Sequence, residues 1–311
     1  MAPRGAPLLL LFPALLLPAC CNCGPRRQPL SKKHPTTLPA PISLDQQIHQ
    51  LNDRARKMPM LSAAAPIGGV VVFYLDDKGK SHREALDGHL WIRQHFNANP
   101  PSADVALFGT VANQTVLDAG ANHSDWWCIL NADPKRAWTG KISPGRSPDT
   151  DSPAANAVLL RADKVLDVLA ITLIRPTPQL QVTMHPSDDD SANILLFTRC
   201  PPGGQPCIER ELTVDRATGL PTDVRLFAPD STLLVRAHLD TYRDVSYDNP
   251  AAAPKHDPPP MMPHHIIVEY PAAKSSVELH FSNVSVPKSI RDAAFETRDW
   301  QDLNITPQVV N

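Results

Sequence analysis

The chain has 311 residues, 42% hydrophobic and 20% charged, which is enough apolar material for a substantial core in one large or two ordinary domains. A formal net charge of −2 argues against an electrostatic nucleic-acid binder. With 34 prolines against 13 glycines, helix stops are frequent, and the composition fits a strand-and-loop protein better than a helical bundle.

Residues 1–20 open with one basic side chain, Arg4, continue in an apolar run over 8–17, and close on Leu17-Pro18-Ala19-Cys20. The run is about half the length a bilayer span requires, so it reads as an export signal. Its ending resembles the lipobox of bacterial lipoproteins. That resemblance implies cleavage after residue 19, lipid attachment at Cys20, and a membrane anchor of two or three acyl chains. A plain secretory signal is the alternative. No Asp follows Cys20, which by the same resemblance favours the outer membrane. Residues 20–42 are rich in Pro, Lys, Arg and Thr and read as a lipidated tether, with one domain over 43–311.

Ser43 with Gln46 forms a capping box, and Leu44, Ile48 and Leu51 share a helix face, predicting a helix that stops before Pro59. The period then becomes two. Strands are predicted at 69–75, 84–96, 103–111, 114–119, 126–131 and 136–142, the signature of a meander. Residues 153–173 break it with amphipathic helix spacing. Strands resume at 179–184, 193–199, 208–214, 221–227, 232–244, 265–270 and 276–284, and a Pro-rich insertion occupies 249–263. A short helical stretch is expected at 289–295. About a dozen antiparallel strands must curl or close, with helices on or inside the sheet: an α+β, mainly antiparallel β fold.

Leu86-Asp87-Gly88-His89-Leu90-Trp91-Ile92-Arg93, Gln114-Thr115-Val116-Leu117-Asp118-Ala119-Gly120, Asp125-Trp126-Trp127 and Leu212-Thr213-Val214-Asp215-Arg216-Ala217-Thr218-Gly219-Leu220-Pro221 follow the lipobox. Together they resemble the LolA/LolB-type lipoprotein carriers, most nearly the Planctomycetes-type lipoproteins of that superfamily. The resemblance implies a half-open curved sheet or barrel of about eleven strands around helices. It further implies an apolar cavity for lipid or lipoprotein acyl chains, a bacterial envelope location, and an exposed apolar loop, for which Met261-Met262-Pro263 is a candidate.

The side chains that would line such a cavity are Leu90, Ile92, Leu180, Val182, Met184, Val277, Leu279 and Phe281, all on alternating strand positions; packing against the protein's own helices is the rival reading. Cys200 and Cys207 could close a short loop as a disulfide or remain free, and Cys128 reads as a buried, inert thiol. No nucleophile–base pair, cofactor motif or metal-ligand spacing stands out: His264 and His265 face opposite ways on a strand, and 185–190 reads as a solvated hairpin tip. The expectation is a non-enzymatic envelope lipoprotein that binds acyl chains, with partners limited to membrane, lipid or lipoprotein, and an envelope protein. A sensor or scaffold of the same fold is the alternative.

Overall fold

The computed structural model describes residues 39–75, 79–98, 102–112, 114–131, 135–142, 164–253, 258–300, 303 and 305–309. The signal, the Cys20 attachment point, most of the tether and the first half of the 153–173 helix lie outside the described residues. The described residues belong to one compact unit, Thr37–Asn311. Among them no helix is long and apolar enough to cross a membrane.

The capping box forms as the sequence dictates. Ser43 Oγ accepts from the Gln46 N–H, the Gln46 side chain accepts from the Ser43 N–H, and α1 runs over Leu44–Arg56. Its buried residues are Gln47, Leu51, Asn52, Arg54 and Ala55. The expected stripe is therefore rotated: Leu44 and Ile48 are only half-buried at the rim, and polar side chains occupy the inner face.

Among the described residues sixteen strands form one open sheet: β1 (Met60–Leu75), β2 (Ser81–His95), β3 (Ser102–Val111), β4 (Gln114–Ala121), β5 (Asp125–Leu130), β6 (Arg136–Lys141), β7 (Leu180–Pro186), β8 (Ala192–Arg199), β9 (Cys207–Asp215), β10 (Pro221–Phe227), β11 (Leu233–Asp244), β12 (Ser246–Tyr247), β13 (Met261–Tyr270), β14 (Ser275–His280), β15 (Asn283–Val286) and β16 (Gln308–Val309). The spatial order is β16-β6-β5-β4-β3-β2-β1-β14-β13-β11-β10-β9-β8-β7, with β12 and β15 pairing off this path. Its ends, β16 and β7, do not meet, so the sheet is not a barrel, and it has more than the eleven strands expected.

Three elements differ from expectation for identifiable reasons. β1 begins at Met60 rather than Gly69, because Ala63 and Ala64 pair with both β2 and β15; long-range pairing overrides the local preference of an alanine run. A bulge at 66–69, with Gly68 at φ +71°, shifts its register, and the expected 276–284 strand divides in response. β14 pairs with 70–73 of β1, and β15 pairs with 62–64. In the described part of 153–173, helix persists only over α2 (Val165–Val168), because Ala170 takes φ +52° and ends it. The expected 289–295 helix is a 3₁₀ turn, Asp292–Phe295.

The two faces of the sheet are distinct. On one face an apolar row crosses eight strands through paired residues: Val72, Val277, Val268, Ala237, Val224, Leu212, Leu195 and Met184. A second row runs Val284, Ala63, Leu90, Leu107, Ala119, Cys128 and Trp138. Adjacent Trp126 and Trp127 point to opposite faces, yet both are buried. Trp126 joins the main core, while Trp127 packs with Ile129 and Ala137 under Trp300, Leu303 and Ile305 of the C-terminal segment.

Candidate functional site

The candidate site is the apolar face and the chain segments that cover it. Leu90, Ile92, Val277, Leu279 and Phe281 are all buried in the main core cluster. Leu180, Val182 and Met184 lie on the edge strand β7, half-buried against the same cluster. All eight predicted side chains therefore border one apolar mass. The same cluster contains Leu51 and Met58, together with Leu166, Val168, Leu169, Ala170, Ile171 and Ile174. The helix α1 and the 165–174 segment thus cover the face, while the predicted positions on the edge strand β7 stay half-buried.

This filling is fastened by polar groups. Asn52 Nδ2 donates to the Ile174 carbonyl at 2.9 Å, and Asn52 Oδ1 accepts from the Ile174 N–H at 2.7 Å. One side chain thereby gives a strand-like pair of bonds to an irregular segment. Arg54 Nε donates to the Met261 carbonyl at 3.0 Å, and its terminal nitrogens reach the Ala170 and Leu169 carbonyls at 3.4 Å. Its guanidinium also lies 5.5 Å from the centre of the Tyr242 ring. Burial lowers the Arg54 pKa, and burial pushes Tyr242 up to about 12. Carbonyls at the end of α2 carry partial negative charge and suit a cation. From the other side, Asp167 Oδ1 accepts from Arg210 Nη1 at 2.8 Å and from Thr172 Oγ1 at 2.8 Å, and Arg210 stacks 3.8 Å over Phe197. Gln47 Oε1 accepts from Asn193 Nδ2 at 3.0 Å, leaving Gln47 Nε2 buried and unpartnered.

Asn52, Arg54, Asp167 and Arg210 were not expected from the sequence. Their signal was present in part: Gln47, Leu51, Arg54, Ala55 and Met58 follow helical spacing, but a hydrophobic criterion passes over the Gln and the Arg.

The remaining predicted positions have clear places. Cys200 and Cys207 are free thiols at the two ends of the β8–β9 loop, not the disulfide expected as one reading. Cys128 is buried, and burial pushes its thiol up to about 12. Met261-Met262-Pro263 is no exposed loop: it begins β13, and Met262 is in the core. Pro263 fits there because it lies beyond the last β13–β14 pair, His265 with His280. Among the described residues the large apolar side chain most exposed is instead Ile67, 91% exposed in the β1 bulge, with Val309 and Val111 also exposed. At the 185–190 hairpin tip, hydrogen bonds from Ser187 and Ser191 hold Asp189 at about 2. A cleft of about 470 Å³ at the end of α1, lined by Arg56, Met60, Tyr247 and Lys288 among others, touches none of the eight apolar candidates.

No protein-family model matches the sequence, and neither does any curated protein. Solved structures do match. A DUF1329 family protein from Desulfovibrio piger superposes with a TM-score of 0.50 at 12% identity, over 81% of this chain and 95% of that one. A putative outer membrane lipoprotein-sorting protein domain from Vibrio parahaemolyticus gives a TM-score of 0.48 at 12% identity, over 81% and 95%. A LolA superfamily protein from Nitrosomonas europaea gives 0.44 at 11%, over 80% and 97%. At 12% identity the likeness to the Desulfovibrio protein is one of fold alone.

Proposed function

We propose that this chain is a bacterial envelope lipoprotein, anchored through Cys20, that binds acyl chains of lipids or lipoproteins on its apolar sheet face without catalysing a reaction. The observation that supports this most is the apolar row running unbroken to an open edge, where Leu180, Val182 and Met184 remain half-buried. An acyl chain laid along β7 completes a core that the protein leaves unfinished, gaining about 0.8 kcal/mol per methylene removed from water. The 165–174 segment beside it is held by Asn52, Arg54 and Arg210, whose hydrogen bonds are worth a net of about 1 kcal/mol each for Asn52 and about 1.5–3 kcal/mol for the charged arginines, which the burial of an acyl chain of ordinary length can offset. Displacing it uncovers more of the apolar face. Ile67 is the side chain placed to touch a membrane during transfer. Outer-membrane placement rests on the residues after Cys20, and an envelope protein as donor or acceptor of cargo belongs to the same reading.

The packed centre of the face supports a second reading, a sensor or scaffold whose own segment replaces cargo. Native mass spectrometry of the protein from a bacterial periplasm separates the two. Co-purified lipid, or uptake of a triacylated peptide, that falls at least tenfold in a Val182→Gln/Met184→Gln variant supports the carrier. An unliganded mass that does not change with added phospholipid or triacylated peptide sinks it.

A further inference from the structure

The opposite face carries a group of side chains that the acyl-chain reading leaves unused. Leu239, Ile266 and Leu279 turn into the core, so their neighbours Asp240, His265 and His280 turn outward on three adjacent strands, β11, β13 and β14. Register places them in line: Asp240 pairs with His265, and His265 pairs with His280. Glu278, two residues before His280, shares its face. His265 and His280 stack with ring centres 4.4 Å apart and planes within 13°. His265 Nε2 lies 2.9 Å and His280 Nε2 3.0 Å from the same oxygen, Glu278 Oε1. The other nitrogen of His265, Nδ1, lies 3.0 Å from both oxygens of Asp240.

Nδ1 of His265 is engaged by the Asp240 carboxylate, so Nε2 is the nitrogen turned toward Glu278 Oε1, and His280 Nε2 turns to the same oxygen. Two ring nitrogens and one carboxylate oxygen thus converge on one point, the geometry in which a single cation accepts a lone pair from each.

From this we infer that His265, Glu278 and His280 form a site for one divalent transition-metal ion, with Asp240 orienting His265 from behind. The three ligand atoms lie within 4.8 Å of one another. A tetrahedral ion with bonds of about 2.1 Å sets its ligand atoms about 3.4 Å apart; the two nitrogen–oxygen distances, 2.9 and 3.0 Å, need open by only a few tenths of an ångström to reach that spacing. Two imidazoles and one carboxylate select Zn²⁺ and its neighbours over Ca²⁺ or Mg²⁺, which prefer all-oxygen shells. A carboxylate on the non-ligating nitrogen is the usual support for a metal-bound histidine. The site is open to solvent on one side, with His280 exposed, so a water or a ligand from another molecule takes the fourth position. Sequence reading expected no metal because the ligands come from two strands and meet only through register.

The test is calorimetric titration of the metal-stripped full chain with ZnCl₂, repeated with Co²⁺ to read coordination from its visible spectrum. The expected result is one saturable site with a tetrahedral Co²⁺ spectrum free of thiolate charge transfer, which excludes the N-terminal cysteines. His280→Gln and Glu278→Gln should each weaken affinity at least tenfold with an unchanged circular dichroism spectrum. Asp240→Asn should weaken it about 10–100-fold without changing stoichiometry. Absence of a saturable site, a thiolate spectrum, or affinity unchanged in both His280→Gln and Glu278→Gln overturns the assignment.

Discussion

At the scale of single residues, this protein uses polar groups where an apolar one would be the simpler choice, and their protonation then matters to stability. His89 is an example outside the core. It lies on β2 with Nε2 2.9 Å from Ser62 Oγ and its ring 4.4 Å from that of Trp91, and burial lowers its pKa. Its folded pKa is therefore below the unfolded value of about 6.5. Above that value both states hold a neutral ring and His89 contributes no pH dependence. As pH falls through it, the unfolded chain binds the proton first, so stability decreases until the folded ring also titrates. Urea unfolding between pH 7.5 and pH 5 should show a falling midpoint, and His89→Gln should flatten that slope. An unaltered slope in the variant would remove His89 from this role. Gly120 shows the steric counterpart, since a Cβ there would sit 2.2 Å from Cζ2 of Trp127, its cross-strand partner. The glycine makes room for the indole that anchors the C-terminal cover.

At the scale of elements, α1 and the 165–174 segment form a unit that the strands do not need in order to pair. Arg54 is its main fastening, with three carbonyls and an aromatic ring as partners. Arg54→Met should therefore cost about 2–3 kcal/mol, because it orphans buried carbonyls, and Arg54→Lys should not restore it, lacking the fork that reaches three acceptors. Chemical denaturation measures the loss, and limited proteolysis should locate new cleavage at 164–175; a loss below about 0.5 kcal/mol would mean the segment is held by apolar packing alone. The strands of this region were legible because one face is polar and the other apolar: Leu180, Val182 and Met184 alternate with Gln181, Thr183 and His185. Residues 169–173, past the end of α2, carry helical spacing without forming helix, because buried irregular chain also spaces its apolar side chains closely. The start of β1 was missed because Ala63 and Ala64 become strand only through partners more than 20 residues away.

At the scale of the whole described unit, this mostly antiparallel sheet stays open and leaves β7 as an edge, and natural edges are normally shortened, charged or covered. Here the edge strand carries apolar side chains on its inner face, which is the feature the functional account explains. The eight apolar positions were legible as one face, but not their division into a packed centre and a half-open rim, since that depends on where Arg54 and Asn52 draw the 165–174 segment. The most direct measurement is hydrogen exchange by mass spectrometry on the full chain, with and without a saturating triacylated peptide. The account predicts slower exchange along β7 and β8 and faster exchange over 165–174 and the inner turn of α1 on binding. Uniform exchange in both conditions, with 165–174 protected throughout, would contradict it and leave the face a closed core.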